Sequence, residues 1–535
     1  MPVEERARAL YPDFIAHEVE VPDWRLEDVL RRSANQFADQ DALVFYHRHW
    51  TYREFLHDAQ RCARALQDRG LKEGDRVALM LPNCPQYAIS YYGVLMAGGV
   101  VAQVNPLSVE RELQYLLEDS GASMIVALDQ VLPRVAAVRA ATPIDGVIGV
   151  GLKGTVAADG VEDFWEVLRS ASSDIPEPPT ADNQAVAVLQ YTGGTTGRSK
   201  GAMLTHRNLV ANLIQLHAYT PDGMSLGSET FLGVIPLFHI YGVECVLNLC
   251  VYMGGRLVLL PRFDVTEVLE AIRDQHPTLW PGVPTMYVAL LQRPDVSEYG
   301  VDSIRLCNSG SAPMPKELLE RFEDTTGAAI LEGYGLSETS PVTHTNPYWG
   351  VRKPGTVGLP LPSTEYRVVD PNTGADLGPG ELGEIWIKGP QVMKGYWNRP
   401  EETQASLVDG QWFRTGDLGS YDEDGYLAIM DRLKDLIIAS GYNVYPREIE
   451  EILYQHPDVV EAVVVGAPDS YRGETVRAVI VPRTGSGLTV ELLNEYLARN
   501  LAAYKRPKMI EFRDSLPKSA VGKILRRVVR DELLS

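Results

Sequence analysis

Cysteine is scarce, positive charge is in deficit, and no long apolar run goes unbroken. The five cysteines, at positions 62, 84, 245, 250 and 307, include no Cys-x-x-Cys pair and no Cys/His group with zinc spacing. This excludes a disulfide framework and a zinc module, and points to a reducing cytosol. The chain has 50 Lys and Arg against 71 Asp and Glu, for a net charge of −21. That argues against a nucleic-acid partner, which needs a basic face. The most apolar stretch, 231–260, is broken by Pro236, His239, Glu244 and Arg256, so no membrane span is expected. The first residues, Met-Pro-Val-Glu-Glu-Arg, lack the apolar core of a secretory signal.

The 535 residues, 45% of them apolar, can fill roughly three to four compact units. Short apolar runs (Val77–Leu81, Val100–Val104, Met124–Leu128, Val147–Val150) alternate with helical spacing. After a proline-rich connector at 175–180 the alternation resumes at 231–237, 257–260, 278–280, 304–308 and 328–331. An α/β fold with two sheet regions flanked by helices follows. From about residue 355 the texture turns to strands and tight turns, which a small barrel or sheet fits. A compact α+β tail begins near Lys434.

The most informative stretch is Tyr191-Thr-Gly-Gly-Thr-Thr-Gly-Arg-Ser-Lys-Gly201. It follows an apolar strand-like run, and 203–216 reads as a helix. Glycines let backbone approach a ligand, and three threonines, Ser199 and Lys200 add hydroxyls and charge that suit a polyphosphate. It lacks the G-x-x-x-x-G-K-[ST] register. Further along, Gly333-Tyr-Gly-Leu-Ser-Glu-Thr339 offers an aromatic face, hydroxyls and a carboxylate. Arg414-Thr-Gly-Asp-Leu418 reads as a tight loop with one carboxylate, suited to two ribose hydroxyls. Asp431-Arg-Leu-Lys-Asp435 reads as a charged linker, and Ser440-Gly-Tyr-Asn-Val-Tyr-Pro446 as a glycine loop before a helix. In Pro517-Lys-Ser-Ala-Val-Gly-Lys523 a lysine precedes a predicted amphipathic helix holding Ile524, Leu525, Val528 and Val529.

In this order the motifs resemble the acyl-adenylate-forming superfamily, and within it the bacterial long-chain fatty acyl-CoA ligases. The resemblance implies a large N-terminal region (1–431, with a small β subdomain at about 355–431), a hinge at 432–435 and a mobile domain at 436–535. It implies ATP, Mg²⁺ and coenzyme A as cofactors, with acyl-AMP formed first and thioester second. Thr192, Gly193, Gly194, Thr195, Thr196, Gly197 and Lys200 would hold the phosphates. Thr192 and Glu338 would hold Mg²⁺. Gly333, Tyr334, Gly335 and Ser337, with Gly310, Ser311 and Ala312, would surround the nucleotide, and Asp417 and Arg432 would hold its ribose. Lys523 would promote the first step and Lys434 would be the pivot. Ser440, Gly441 and Tyr442 would face the thiol path. Phe238, His239, Tyr241, Val243, Gly282, Met286 and Gly310 would line the acyl site.

A long-chain fatty acid is the expected acid. Medium-chain, aryl and dicarboxylic acids are the alternatives, and a nucleotide-regulated binding protein without turnover is a further one. Small molecules are the expected partners. A cytoplasmic place with at most peripheral contact to the inner membrane is expected, and oligomeric state stays open, a homodimer being one option.

Overall fold

The computed structural model describes residues 3–172, 175–192, 199–312, 314, 316–439, 442–469, 473–519 and 522–534. Among these, two large sheets dominate. One has eight strands in the order Gly395–Tyr396, Lys200–Thr205, Val186–Thr192, Val100–Gln103, Arg76–Met80, Met124–Leu128, Gly146–Val150, Glu162–Asp163. The other has nine: Leu359–Pro360, Val342–Thr345, Ala329–Gly335, Leu306–Ser309, Leu279–Gly282, Thr230–Gly233, Arg256–Leu259, Asp41–Phe45, Arg48–Thr51. Their central pairings are parallel. Parallel strands covered by helices on both faces need unbroken apolar runs, and Met124–Leu128 is buried at every position.

The sheets are not consecutive halves of the chain. The hairpin Asp41–Thr51 joins the sheet built from residues 230–360, because Leu43 and Val44 pair in parallel with Leu257 and Val258. Between the sheets runs the helix Pro85–Met96, buried along its whole length. A helix apolar on all sides has to be covered on all sides. Its tyrosines still find partners: the Tyr87 hydroxyl reaches Gln103 Oε1 and Leu237 O, both at 2.7 Å.

A five-stranded antiparallel sheet follows, from Glu365–Val369, Gly383–Lys388, Leu407–Val408, Trp412–Tyr421 and Leu427–Arg432. The last sheet combines Ile437–Ala439, Tyr442–Val444, Val459–Asp469, Gly473–Pro482 and Met509–Phe512. Among the described residues, the apolar clusters of this tail include none from before Ile437. No helix of the described residues is long and apolar enough to cross a membrane.

Three local expectations are corrected. Residues 203–216 are not one helix. Lys200–Thr205 is a strand antiparallel to Val186–Thr192, and the helix is His206–Tyr219, with Thr205 accepting from Asn208 N at its start. The glycine-rich stretch therefore joins two strands rather than a strand and a helix. Asp417 lies not in a loop but in the strand Trp412–Tyr421, opposite Arg432. The final helix begins at Arg526, so Ile524 and Leu525 precede it. Ile524 instead bridges to Lys518 across a turn with Gly522 at φ +76°.

Two glycines of the second half set a contrast. A Cβ on Gly358 (φ +81°) would lie 2.2 Å from backbone atoms of Thr345 and Asn346, whereas Gly355 (φ +80°) has open space. Gly358→Ala should cost about 1–3 kcal/mol more than Gly355→Ala, which pays only for its left-handed backbone. Urea unfolding of the two variants measures the difference.

Candidate active site

The strand Ala329–Gly335 ends in Gly-Tyr-Gly at a crowded crossing. A Cβ on Gly335 would sit 1.9 Å from Pro341 O, and one on Gly333 3.2 Å from Asn308 Nδ2. Glycine is thus required at 335 by space. Between them Tyr334 donates its hydroxyl to Asp417 Oδ2 at 2.6 Å. Burial, then Asp417, pushes the phenol far up from its ordinary pKa, so it remains a donor. The other oxygen, Asp417 Oδ1, lies 3.2 Å from Arg432 Nε, and Asp417 N donates to Thr415 Oγ1. Asp417 is 5% exposed. A carboxylate has about four acceptor sites, so this one can still accept from added hydroxyls.

Glu338 stands in the short 3₁₀ turn Ser337–Thr339. Its Oε1 accepts from Tyr396 OH at 2.8 Å, and burial raises its pKa. The Lys200 ammonium lies 5.2 Å from the centre of the same Tyr396 ring. Thr192 and Lys200 face each other in register at the mouth of the hairpin. Gly193, Gly194, Thr195, Thr196 and Gly197 lie outside the described residues, as do Ser440, Gly441 and the Tyr442 side chain.

The foot of that hairpin is tied down by residues the sequence reading did not single out. Tyr191 OH and Arg399 Nη2 both bond Asp119, at 2.9 and 2.6 Å. Tyr115 OH donates to Ser199 O at 2.8 Å. Tyr396, Asp119 and Arg399 belong to none of the motifs above. No group of three His, Cys, Asp or Glu residues among those described could hold a metal ion. A buried carboxylate at 338 and a hydroxyl at 192 offer hard oxygen donors but not a cage. This fits Mg²⁺, which takes one or two carboxylates and fills its shell with water and phosphate oxygens.

His239 starts a short helix and accepts from Tyr241 N on Nδ1, at 3.2 Å. That fixes the neutral tautomer with Nε2–H as donor. Burial and then the Lys523 charge bring the imidazole down to about 4. Lys523 itself is lowered to about 8, first by its protein surroundings and then by Arg432, with Asp417 pulling the other way. Its side chain keeps solvent access. The neighbouring Gly522 packs on the N-terminal region, where a Cβ would meet Thr285 Oγ1 at 2.8 Å. The tail turn is held by Ser519 N donating to Lys523 O at 2.7 Å.

Tyr241 joins this wall to the next strands by bonding Asn308 O at 2.7 Å and Gly282 O at 3.3 Å. Gly310 is close-packed on the Tyr241 ring, and Gly282 on Tyr287. Ser311 follows at φ +67°, and Phe238 O accepts from Gln190 Nε2. Met286 and Val243 are buried, on the helix Pro284–Leu291 and the π-helical segment Val243–Asn248. The structure thus brings Tyr334, Asp417, Arg432, Lys523 and His239 into one electrostatic neighbourhood. Lys434, in the turn Leu433–Asp435, borders the same neighbourhood, its pKa lowered by desolvation and by Arg432 and raised in part by Asp435 and Asp417.

A strand-end tyrosine locked to a carboxylate, beside a cation carried in from the tail, is the arrangement of an AMP-forming acid–thiol ligase. The chain belongs to the AMP-binding enzyme family: residues 30–397 match the AMP-binding enzyme and 448–523 the AMP-binding enzyme C-terminal domain. It is 46% identical to the long-chain-fatty-acid–CoA ligase of Bacillus subtilis (strain 168), covering 98% of this chain and 97% of that one. ATP-bound MatB from Rhodopseudomonas palustris superposes with a TM-score of 0.87 at 34% identity, covering 95% of this chain and 99% of that one. Apo MatB from the same source gives 0.76 at 35% identity, with the same coverages.

Because Lys523 depresses His239, Lys523→Ala should raise the imidazole midpoint above about 4, and Lys523→Arg should leave it low. Imidazole ¹⁵N NMR reads this directly. The sign for stability follows from the same depression: the unfolded chain binds this proton near 6.5 and the folded one near 4. Falling pH across that window therefore lowers stability, and His239→Gln should flatten the decline.

Proposed function

We propose that this chain is an ATP-dependent fatty acid–CoA ligase with a long-chain acid as its substrate. The observation that carries the reading is Lys523, a tail residue whose neighbour Gly522 packs on Val283 and Thr285 and whose ammonium lies in the field of Asp417 and Arg432 and acts on His239. The similarity to a long-chain-fatty-acid–CoA ligase supports the choice of acid, as do the apolar Tyr241, Val243 and Met286 beside the site.

In the first half-reaction a carboxylate oxygen attacks the α-phosphorus, an O–P bond forms, and the bond to pyrophosphate breaks. Two anions must meet, so a cation between them lowers the barrier; Lys523 supplies it. Thr192, Lys200 and residues 193–197 hold the leaving phosphates. Glu338 and Thr192 would hold Mg²⁺, which would supply charge neutralisation of those phosphates. The adenine lies against Tyr334, near Ser337 and Gly310–Ala312, and the ribose hydroxyls donate to Asp417 with Arg432 alongside. His239 orients the acyl carboxylate through Nε2–H, since an imidazole that titrates near 4 is too weak a base to act at neutral pH. In the second half-reaction the thiol sulfur of coenzyme A attacks the acyl carbon, the C–O bond to AMP breaks, and the thiol proton leaves to solvent. One rigid site serves the two steps poorly. We divide the chain into 1–431 and 436–535 about the hinge 432–435, with Lys434 as pivot and Ser440, Gly441 and Tyr442 turning toward the thiol path.

Lys523→Ala should lower pyrophosphate release about 10²–10³-fold and leave thiolysis of supplied acyl-AMP intact. The wild-type kcat/KM for the first half-reaction should fall as pH rises past about 8, as the ammonium loses its proton, and Lys523→Arg should remove that limb. Pyrophosphate release across acids from C4 to C18 separates the long-chain reading from medium-chain, aryl and dicarboxylic ones. No release with any acid would leave a binding protein.

A further inference from the structure

Arg526 lies three residues beyond Lys523, at the start of the last helix. Its Nη2 bonds both oxygens of Glu450 at 2.7 Å. Its Nη1 reaches Asp431 Oδ1 at 3.2 Å and Asp435 Oδ2 at 3.3 Å. Glu450 is anchored in turn by Val464 N at 2.7 Å. The Asp431 side chain is 2% exposed. Its Oδ2 receives a second group from the tail, Arg447 N at 3.0 Å, while the Arg447 guanidinium bonds Ile429 O.

These contacts differ in which side of Lys434 they fall on. Arg526 and Glu450 both follow it, so any turn about Lys434 carries that pair along whole. Asp431 precedes it, in the strand Leu427–Arg432 of the small sheet. Every contact of Asp431 with Arg526 and Arg447 must therefore break when the tail turns. Asp431 also adjoins Arg432, the partner of Asp417. The socket and the nucleotide pocket are thus built on consecutive residues.

We infer that Asp431 and Arg526 form a latch that holds the tail with Lys523 in the pocket and is released for thioester formation. The inference rests on the two-step reading above. Both are positioning residues: they act through the placement of Lys523. A buried carboxylate that loses its cation is left uncompensated, so the latch favours the Lys523-in orientation. A charge-assisted bond keeps that preference finite and reversible.

The test uses the full chain with ATP, Mg²⁺, hexadecanoic acid and coenzyme A. Acyl-AMP formation is followed by pyrophosphate release, thioester formation is measured from supplied acyl-AMP, and melting temperature is recorded for each variant. Asp431→Asn should slow the first half-reaction about tenfold, with the second unchanged or faster. Arg526→Lys keeps the charge but loses the fork, and should shift the ratio of the two rates the same way by less. Glu450→Gln breaks only a pair within the tail, and should lower the melting temperature without moving that ratio. If Asp431→Asn does not fold, Arg526→Lys decides. An unmoved ratio in the folded variants overturns the latch alone. A wild-type chain that releases no pyrophosphate with any acid overturns the functional reading and the latch together.

Discussion

One buried carboxylate joins the parts of this molecule that have to work together. Asp417 takes a hydroxyl from Tyr334 on one oxygen and stands against Arg432 on the other. Tyr334 ends a strand of the nine-stranded sheet, whereas Asp417 and Arg432 are a cross-strand pair of the small sheet. Two separately built surfaces are thereby set in one geometry. Arg432 also closes the strand Leu427–Arg432, which leads directly into the tail.

The electrostatics of this neighbourhood favour an anion. Arg432 and Lys523 raise each other's energy, as the downward pull of Arg432 on Lys523 shows. Asp417 offsets only part of that repulsion. Two cations with only partial compensation suit a polyphosphate placed between them. The net charge of −21 does not conflict with this, because a few convergent cations in a cleft outweigh acidic residues spread over a wide, screened surface. His239 records the same field: a half-buried imidazole near a lysine stays neutral and keeps one N–H to give.

Support behind the site is as specific as the site. The foot of the glycine-rich hairpin is held by Asp119, which draws Tyr191 and Arg399 from positions far apart in the chain. Tyr396 spans Lys200 and Glu338 from a strand paired with the hairpin itself. Aromatic hydroxyls do much of this bridging, because a tyrosine can be packed like a core residue and still deliver one directed hydrogen bond.

How much of this could be read beforehand depended on range. Met124–Leu128 stands where its apolar run puts it, and the motif order led to the family. Met203 and Leu204 misled, because two adjacent apolar residues satisfy either period, and the strand pairing with Val186–Thr192 was decided by a neighbour. Asp417 read as a turn residue because Thr-Gly-Asp favours turns locally, yet opposite Arg432 it completes a ladder. The chain by itself determined which chemical groups are present, in what order, and the strands and helices whose patterns outlast a few residues. Only the packed structure decided that Asp119 should meet Arg399 and that Tyr396 should lie between a lysine and a carboxylate. Such meetings are set by how sheets stack and pair, which no local spacing of residues encodes.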